Sequence, residues 1–325
     1  LLSVSVSVYW CIRSRLGAGG VDAQGSLLKP MNYDNLDWHI DTWNASFRDK
    51  SNRVKFYIFW LAFGNQGYPE LRMDIPVGSP RWNTLVVEWL NDLATHLLER
   101  HGMTTDQFAF YIKDELEPRQ VLAYYEPMAD ALRAADPQKY PHAAKIKLFV
   151  NPMTGTVMSS SWQHFEQRYE KLGLLAPLAG DYPPRILESL HRSGNLVWSH
   201  STAGKSAGYG AKLSGWRCMQ KGFGGMGFFI YIYSSYPSSY DRVYTVKDQV
   251  PGAGNETIVP TRGWEAWRDG QEDWYLLSLL KQTAHDVRKT DPAAFVRAMR
   301  VFHEAIEAVF IAPDDPRASL KARSR

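Results

Sequence analysis

Phe108-Ala109-Phe110-Tyr111-Ile112-Lys113-Asp114-Glu115 is the stretch on which the fold of this chain turns. Its first five residues are apolar or aromatic and mostly β-favouring, so Phe108–Lys113 reads as a strand that carries two carboxylates to its C-terminal end. In a parallel α/β sheet or barrel, ligands and catalytic groups collect at that end of the strands. Two adjacent carboxylates there can have their pKa values pushed apart, leaving one a proton donor and the other an anion. An acidic dipeptide is equally at home in a solvated turn or a helix cap. The rest of the chain has to decide between these readings.

Working outward, strands and helices alternate. Val4–Cys11 and Val54–Phe63 read as strands, with a helix over Asp34–Phe47 between them. Trp82, Leu85, Val86, Trp89, Leu93 and Leu97 recur at helical spacing, and His101-Gly102 closes that helix. After the Phe108 strand come a helix from about Arg119 to Ala135, a strand at Ile146–Val150 and a helix at Ser161–Leu172. A short strand at Leu175–Gly180, a helix at Ile186–Arg192 and a strand at Leu196–His200 follow. Next are a helix around Ala211–Lys221, the strand Met226–Tyr233, a polar Gly/Pro-rich connection and a short strand at Thr257–Pro260. Helices from about Arg262 to Val287 and from about Pro292 to Phe310 complete the chain. Eight strands, each followed by a helix or helical turn, imply parallel pairing with right-handed crossovers. The expected fold is therefore α/β, a (β/α)8 TIM-type barrel with an additional C-terminal helix. Residues 1–290 would form the barrel, and residues 291–325 a helix and tail packed on it. A doubly wound open sheet fits less well, because the Gly-rich first turn of dinucleotide-binding folds is missing.

Composition narrows the partners. The net charge of +3 arises from 37 basic and 34 acidic residues mixed along the chain, with no basic block for nucleic acid. No run is long and apolar enough to span a membrane. Aromatic residues are abundant, with 12 Trp, 17 Tyr and 14 Phe, and such rings offer stacking faces for sugars as well as core material. Two cysteines, Cys11 and Cys218, define neither a disulfide framework nor a metal site, and buried thiols are expected. The start, Leu1-Leu-Ser-Val-Ser-Val-Ser-Val, lacks Met and alternates like a strand. The natural N-terminus is expected upstream, with any targeting segment.

On a barrel, the C-terminal strand ends supply the candidate site. Trp60 and Asn65 follow strand two, Asp114 and Glu115 strand three, and Asn151 strand four. Asp181 and Tyr182 follow strand five, Trp198 and His200 sit on strand six, and Tyr231 and Tyr233 on strand seven. Carboxylates, amides, an imidazole and aromatic rings are the composition of a carbohydrate site. Neither a phosphate cradle nor a metal cage has this make-up. Metal-ligand motifs and a Gly-x-Ser-x-Gly elbow are missing, so no metal and no cofactor is expected. The glycines of Lys221-Gly-Phe-Gly-Gly-Met-Gly precede a strand and read as a tight helix-to-strand turn.

Three blocks carry a family resemblance. Arg262-Gly-Trp-Glu-Ala-Trp-Arg-Asp-Gly-Gln-Glu-Asp-Trp-Tyr-Leu-Leu resembles the C-terminal helix signature of glycoside hydrolase family 123 catalytic domains. Gly215-Trp-Arg-Cys-Met-Gln-Lys-Gly-Phe-Gly-Gly-Met-Gly-Phe-Phe-Ile-Tyr is similar to the block before it. Tyr111-Ile-Lys-Asp-Glu is similar to the strand ending in that family's Asp-Glu pair. The resemblance runs from about Phe108 to Lys281 and implies a retaining enzyme for terminal β-linked N-acetylhexosamine, with N-acetylgalactosamine favoured. It also implies substrate assistance: the 2-acetamido oxygen attacks the anomeric carbon in place of an enzyme nucleophile. Asp114 then orients the acetamide and stabilises the oxazolinium, while Glu115 protonates the leaving oxygen and later activates water. Consecutive strand residues point to opposite sides, so the backbone must bend at 114–115 for both to reach one sugar. A secreted or periplasmic location is implied by the family alone.

The chain departs from the family in two ways. Leu116 stands where Pro usually follows the acidic pair, with Pro118 two residues later, and the β-sandwich usually found before the barrel is not in this stretch, consistent with a truncated start. In the long helix, Arg268 and Glu272 are spaced to pair and Trp267, Trp274 and Leu277 to face a core, an architectural role. Arg262, near the rim end, is the possible exception. Two other functions stay open: a catalytically silent carbohydrate-binding barrel, and a glycosidase for a non-acetamido sugar with Asp181 as nucleophile. Oligomeric state is not legible.

Overall fold

The structure is a computed structural model that describes residues 3–6, 31–46, 56–60, 75–111, 118–150, 173–175, 188, 191–192, 196–201, 214–228, 243–245, 258–260 and 262–310. Contacts divide the chain into two compact units, Leu1–Val197 and Trp198–Arg325.

The first unit carries β1 (Ser3–Val6), α1 (Asp34–Ser46), β2 (Phe56–Trp60), α2 (Pro80–His101), β3 (Phe108–Tyr111), α3 (Pro118–Ala134), β4 (Lys147–Val150), β5 (Gly173–Leu175) and the start of β6 (Leu196–Ser201). Every neighbouring pair of these strands is parallel, and their order in the sheet is their order in the sequence. All four residues of β3 are buried. With side chains alternating between faces, that requires cover on both sides, the condition of a parallel sheet dressed with helices. Phe59, Phe108 and Phe110 have no exposed surface and pack with ring centroids 5.3–6.1 Å apart.

The helical spacing in α2 predicts its buried face: Trp82, Leu85, Val86, Trp89, Leu93 and Leu97 are at most 1% exposed. Ser79 caps its N-terminus by accepting from the Trp82 N–H at 3.3 Å, and Pro80 opens the first turn, where a missing N–H costs nothing. Gly102, at φ 65°, ends it, with the Met103 N–H bonded to the Leu97 carbonyl at 3.1 Å. Alongside runs α1, joined to α2 by polar contacts. The Tyr33 hydroxyl donates to Asp92 at 2.9 Å, and burial together with that carboxylate raises its pKa far above the usual phenol value. Burial opposes the charge of Asp37, but hydrogen bonds from His96 and His101 outweigh it and hold the carboxyl below its ordinary pKa.

The second unit pairs the remainder of β6 in parallel with β7 (Gly225–Phe228), and holds α4 (Ser214–Lys221), β8 (Val243–Thr245), β9 (Ile258–Pro260), α5 (Arg262–Val287) and α6 (Pro292–Phe310). Helices α4, α5 and α6 share a core of Trp216, Leu277, Phe302, Ile306 and Val309. The approach of α4 to α5 depends on glycine: a Cβ on Gly215 would collide with the Gly270 carbonyl oxygen. Beside it, the Trp216 Nε1–H donates to Asp273 at 2.8 Å. The two blocks around Gly215 and Gly270 are thus mating surfaces. Arg268 pairs with Glu265 at 2.7 Å and lies 3.6 Å from Glu272, and Trp267 is buried, in keeping with an architectural helix. Gly222, at φ 71°, closes α4 and turns the chain toward β7.

Several expectations need correcting. The strand expected at Thr257–Pro260 forms as Ile258–Pro260. Its partner among the described residues is Val243–Thr245, antiparallel, inside what the sequence reads as a loop. The fifth strand lies at Gly173–Leu175, earlier than the Leu175–Gly180 expected, and residues 176–180 lie outside the described residues. So does the helix expected at Ser161–Leu172. Of Ile186–Arg192, residues 188, 191 and 192 are described and helical. Among the described residues, no helix is long and apolar enough to cross a membrane.

Candidate functional site

Backbone pairing aligns the ends of three adjacent strands in the first unit. Trp60, the last residue of β2, is in register with Tyr111, the last of β3, and Tyr111 is in register with Phe149 of β4. The Tyr111 and Phe149 rings meet edge to face, 4.8 Å between centroids, and close this end of the buried sheet. Asp114 and Glu115 lie outside the described residues. In the chain they fall between Tyr111, where β3 ends, and Pro118, where α3 begins. The bend required at 114–115 is likewise outside them. Asn151 follows Val150, the last residue of β4, and is also outside, as are Asn65, Asp181 and Tyr182. Trp60 thus ends one of three hydrogen-bonded neighbours, and in the sequence the acidic pair and Asn151 come after the other two.

In the second unit, β6 carries Trp198 and His200 in register with Gly225 and Gly227 of β7. Neither of these two positions on β7 carries a Cβ. Trp198 is 8% exposed, so most of its ring is committed to packing. Tyr231 and Tyr233 follow β7, which is described to Phe228, and lie outside the described residues.

Cys218 is buried and in no disulfide. Burial lifts its thiol from an ordinary 9.0 to about 12, which leaves it protonated and removes it from consideration as a nucleophile. A group that sequence reasoning missed is the trio Asp37, His96 and His101, brought together between α1 and α2. Its only sequence signal is a pair of histidines five residues apart. That spacing is about 140° around a helix and so announces no shared face.

No family model and no curated protein matches the chain. Among solved structures, it is similar in fold to a family 123 glycoside hydrolase from Clostridium perfringens, whose structure addresses glycolipid glycan hydrolysis. The TM-score is 0.52 at 12% sequence identity. The match covers 83% of this chain and 49% of the other, so the chain spans about half the length of that enzyme. At this identity the likeness is one of fold.

Proposed function

We propose that the chain is the catalytic (β/α)8 barrel of a retaining, substrate-assisted glycoside hydrolase acting on terminal β-linked N-acetylhexosamine. The observation that carries this reading is the acidic pair following the C-terminal end of β3, a strand buried within a run of sequence-ordered parallel strands. That is where such sheets keep their chemistry. The likeness in fold to a family 123 enzyme supports the same reading from a separate direction.

In this mechanism the acetamido oxygen of the substrate attacks the anomeric carbon as the glycosidic bond breaks. Glu115 delivers its proton to the departing oxygen. Asp114 accepts the acetamide N–H and balances the positive charge that develops on the oxazolinium. Glu115, now a carboxylate, takes a proton from water as the water oxygen attacks the anomeric carbon. The bond from the anomeric carbon to the acetamido oxygen breaks, which regenerates the acetamide and leaves the anomeric carbon in its original configuration. The substrate's own acetamide is the nucleophile, so the separation rule for enzymes with their own nucleophile does not apply.

Hydrolysis of aryl β-N-acetylgalactosaminide and β-N-acetylglucosaminide by the chain tests the proposal. Glu115→Gln is expected to reduce kcat by roughly 10²–10⁴-fold, the usual contribution of a positioned acid/base. Sugar binding without turnover in the unmutated chain would leave a silent carbohydrate-binding barrel instead.

A further inference from the structure

Among the described residues, one group of metal-competent side chains joins α1 to α2. His96 Nε2 and His101 Nε2 each lie 2.7 Å from one oxygen, Oδ1 of Asp37. The three donor atoms fall within 4.8 Å of one another. Two imidazole nitrogens and a carboxylate oxygen suit zinc and its first-row neighbours, and match poorly the all-oxygen preference of calcium or magnesium.

The surroundings add independent support. Nδ1 of His101, its other ring nitrogen, lies 3.6 Å from Asp41 Oδ1. A ligating imidazole commonly turns its second N–H to a carboxylate, which fixes the tautomer and raises its basicity. Arg100 holds Asp41 in place through a 2.7 Å ion pair and stands 3.9 Å from Asp37 Oδ2, away from the shared oxygen. Tyr33 packs against the His96 ring with centroids 4.5 Å apart and limits its rotation. His101 is 3% exposed, against 19% for Asp37 and 25% for His96, so one side of the trio faces solvent.

We propose that Asp37, His96 and His101 bind one zinc-class divalent cation, with water in the fourth position and Asp41 behind His101. Ligand atoms around a tetrahedral ion stand about 3.3 Å apart, so the two contacts to Asp37 open by roughly 0.6 Å as the ion replaces the shared protons. The site is structural: it ties two helices that otherwise meet through hydrogen bonds. It also lies away from the proposed catalytic end, because His101 ends α2 just before the start of β3, whereas Asp114 follows the end of β3.

The test is calorimetric titration of the chelator-treated full chain with zinc chloride, alongside thermal melts with zinc or magnesium. One zinc per chain and a higher melting temperature with zinc alone are expected. His96→Gln can still donate a hydrogen bond to Asp37 but replaces the imidazole ligand. It should weaken zinc binding at least 100-fold with little change in the metal-free melt. Asp41→Asn should weaken it about 10–100-fold. His96 is partly exposed, so this variant carries the test even if His101→Gln fails to fold. Absence of zinc binding overturns the proposal, leaving a hydrogen-bonded clamp. Undiminished binding in His96→Gln overturns it equally, by assigning the metal to other residues.

Discussion

Glycine serves two separate purposes in this chain, and single substitutions separate them. Gly102 sits at φ 65° with nothing within 4 Å of where a Cβ would stand. Gly102→Ala therefore meets only the cost of a left-handed backbone, and urea denaturation should show a loss of about 1 kcal/mol. At Gly215 a Cβ would strike the Gly270 carbonyl, a backbone atom that cannot move alone. Gly215→Ala should cost at least about 1–3 kcal/mol, as overpacking does, and separate α4 from α5. The first glycine was legible as a helix stop. The second was not, because its reason lies in another helix. Cys218 gives a residue-scale prediction in pH. Its folded pKa, about 12, exceeds the ordinary 9.0, so its contribution to stability is complete below pH 9 and is lost as pH rises toward 12. In a Cys11→Ser background, the thiol should resist alkylation at pH 8 until the protein is denatured; rapid native labelling would contradict its burial.

Elements with a strong periodic pattern were the most legible. The buried face of α2 follows from the spacing of Trp82 through Leu97, and its C-terminal end from Gly102. Leu93 has no exposed surface, so Leu93→Ala should destabilise the chain by about 2–5 kcal/mol in chemical denaturation. A loss under 1 kcal/mol would mean that the helix is not seated as described. Pairing partners were harder to read. Val243–Thr245 is three residues long and set among polar residues, too short for alternation to register, and only its hydrogen bonds to Ile258–Pro260 define it. The contact between α1 and α2 was invisible for a related reason: Asp37 and its two histidines are 59 and 64 residues apart in the chain.

At the scale of the molecule, sequence-ordered parallel strands with intervening helices match the alternation read from the sequence. Closure into an eight-stranded barrel remains part of the proposal. Of the candidate site, Trp60, Trp198 and His200 fall on described strands, while Asp114 and Glu115 lie outside the described residues. The residue types and strand ends were readable from the chain; the distances between side chains were not, since register and backbone bends set them. The central claim, catalysis by Asp114 and Glu115 with the substrate's own acetamide, is tested most directly by comparing matched aryl glycosides. The account predicts turnover of the β-N-acetylhexosaminide, none of the corresponding plain β-hexoside, and a loss of roughly 10²-fold or more in both Asp114→Asn and Glu115→Gln. Equal turnover of the two glycosides, or full activity in Glu115→Gln, would contradict it.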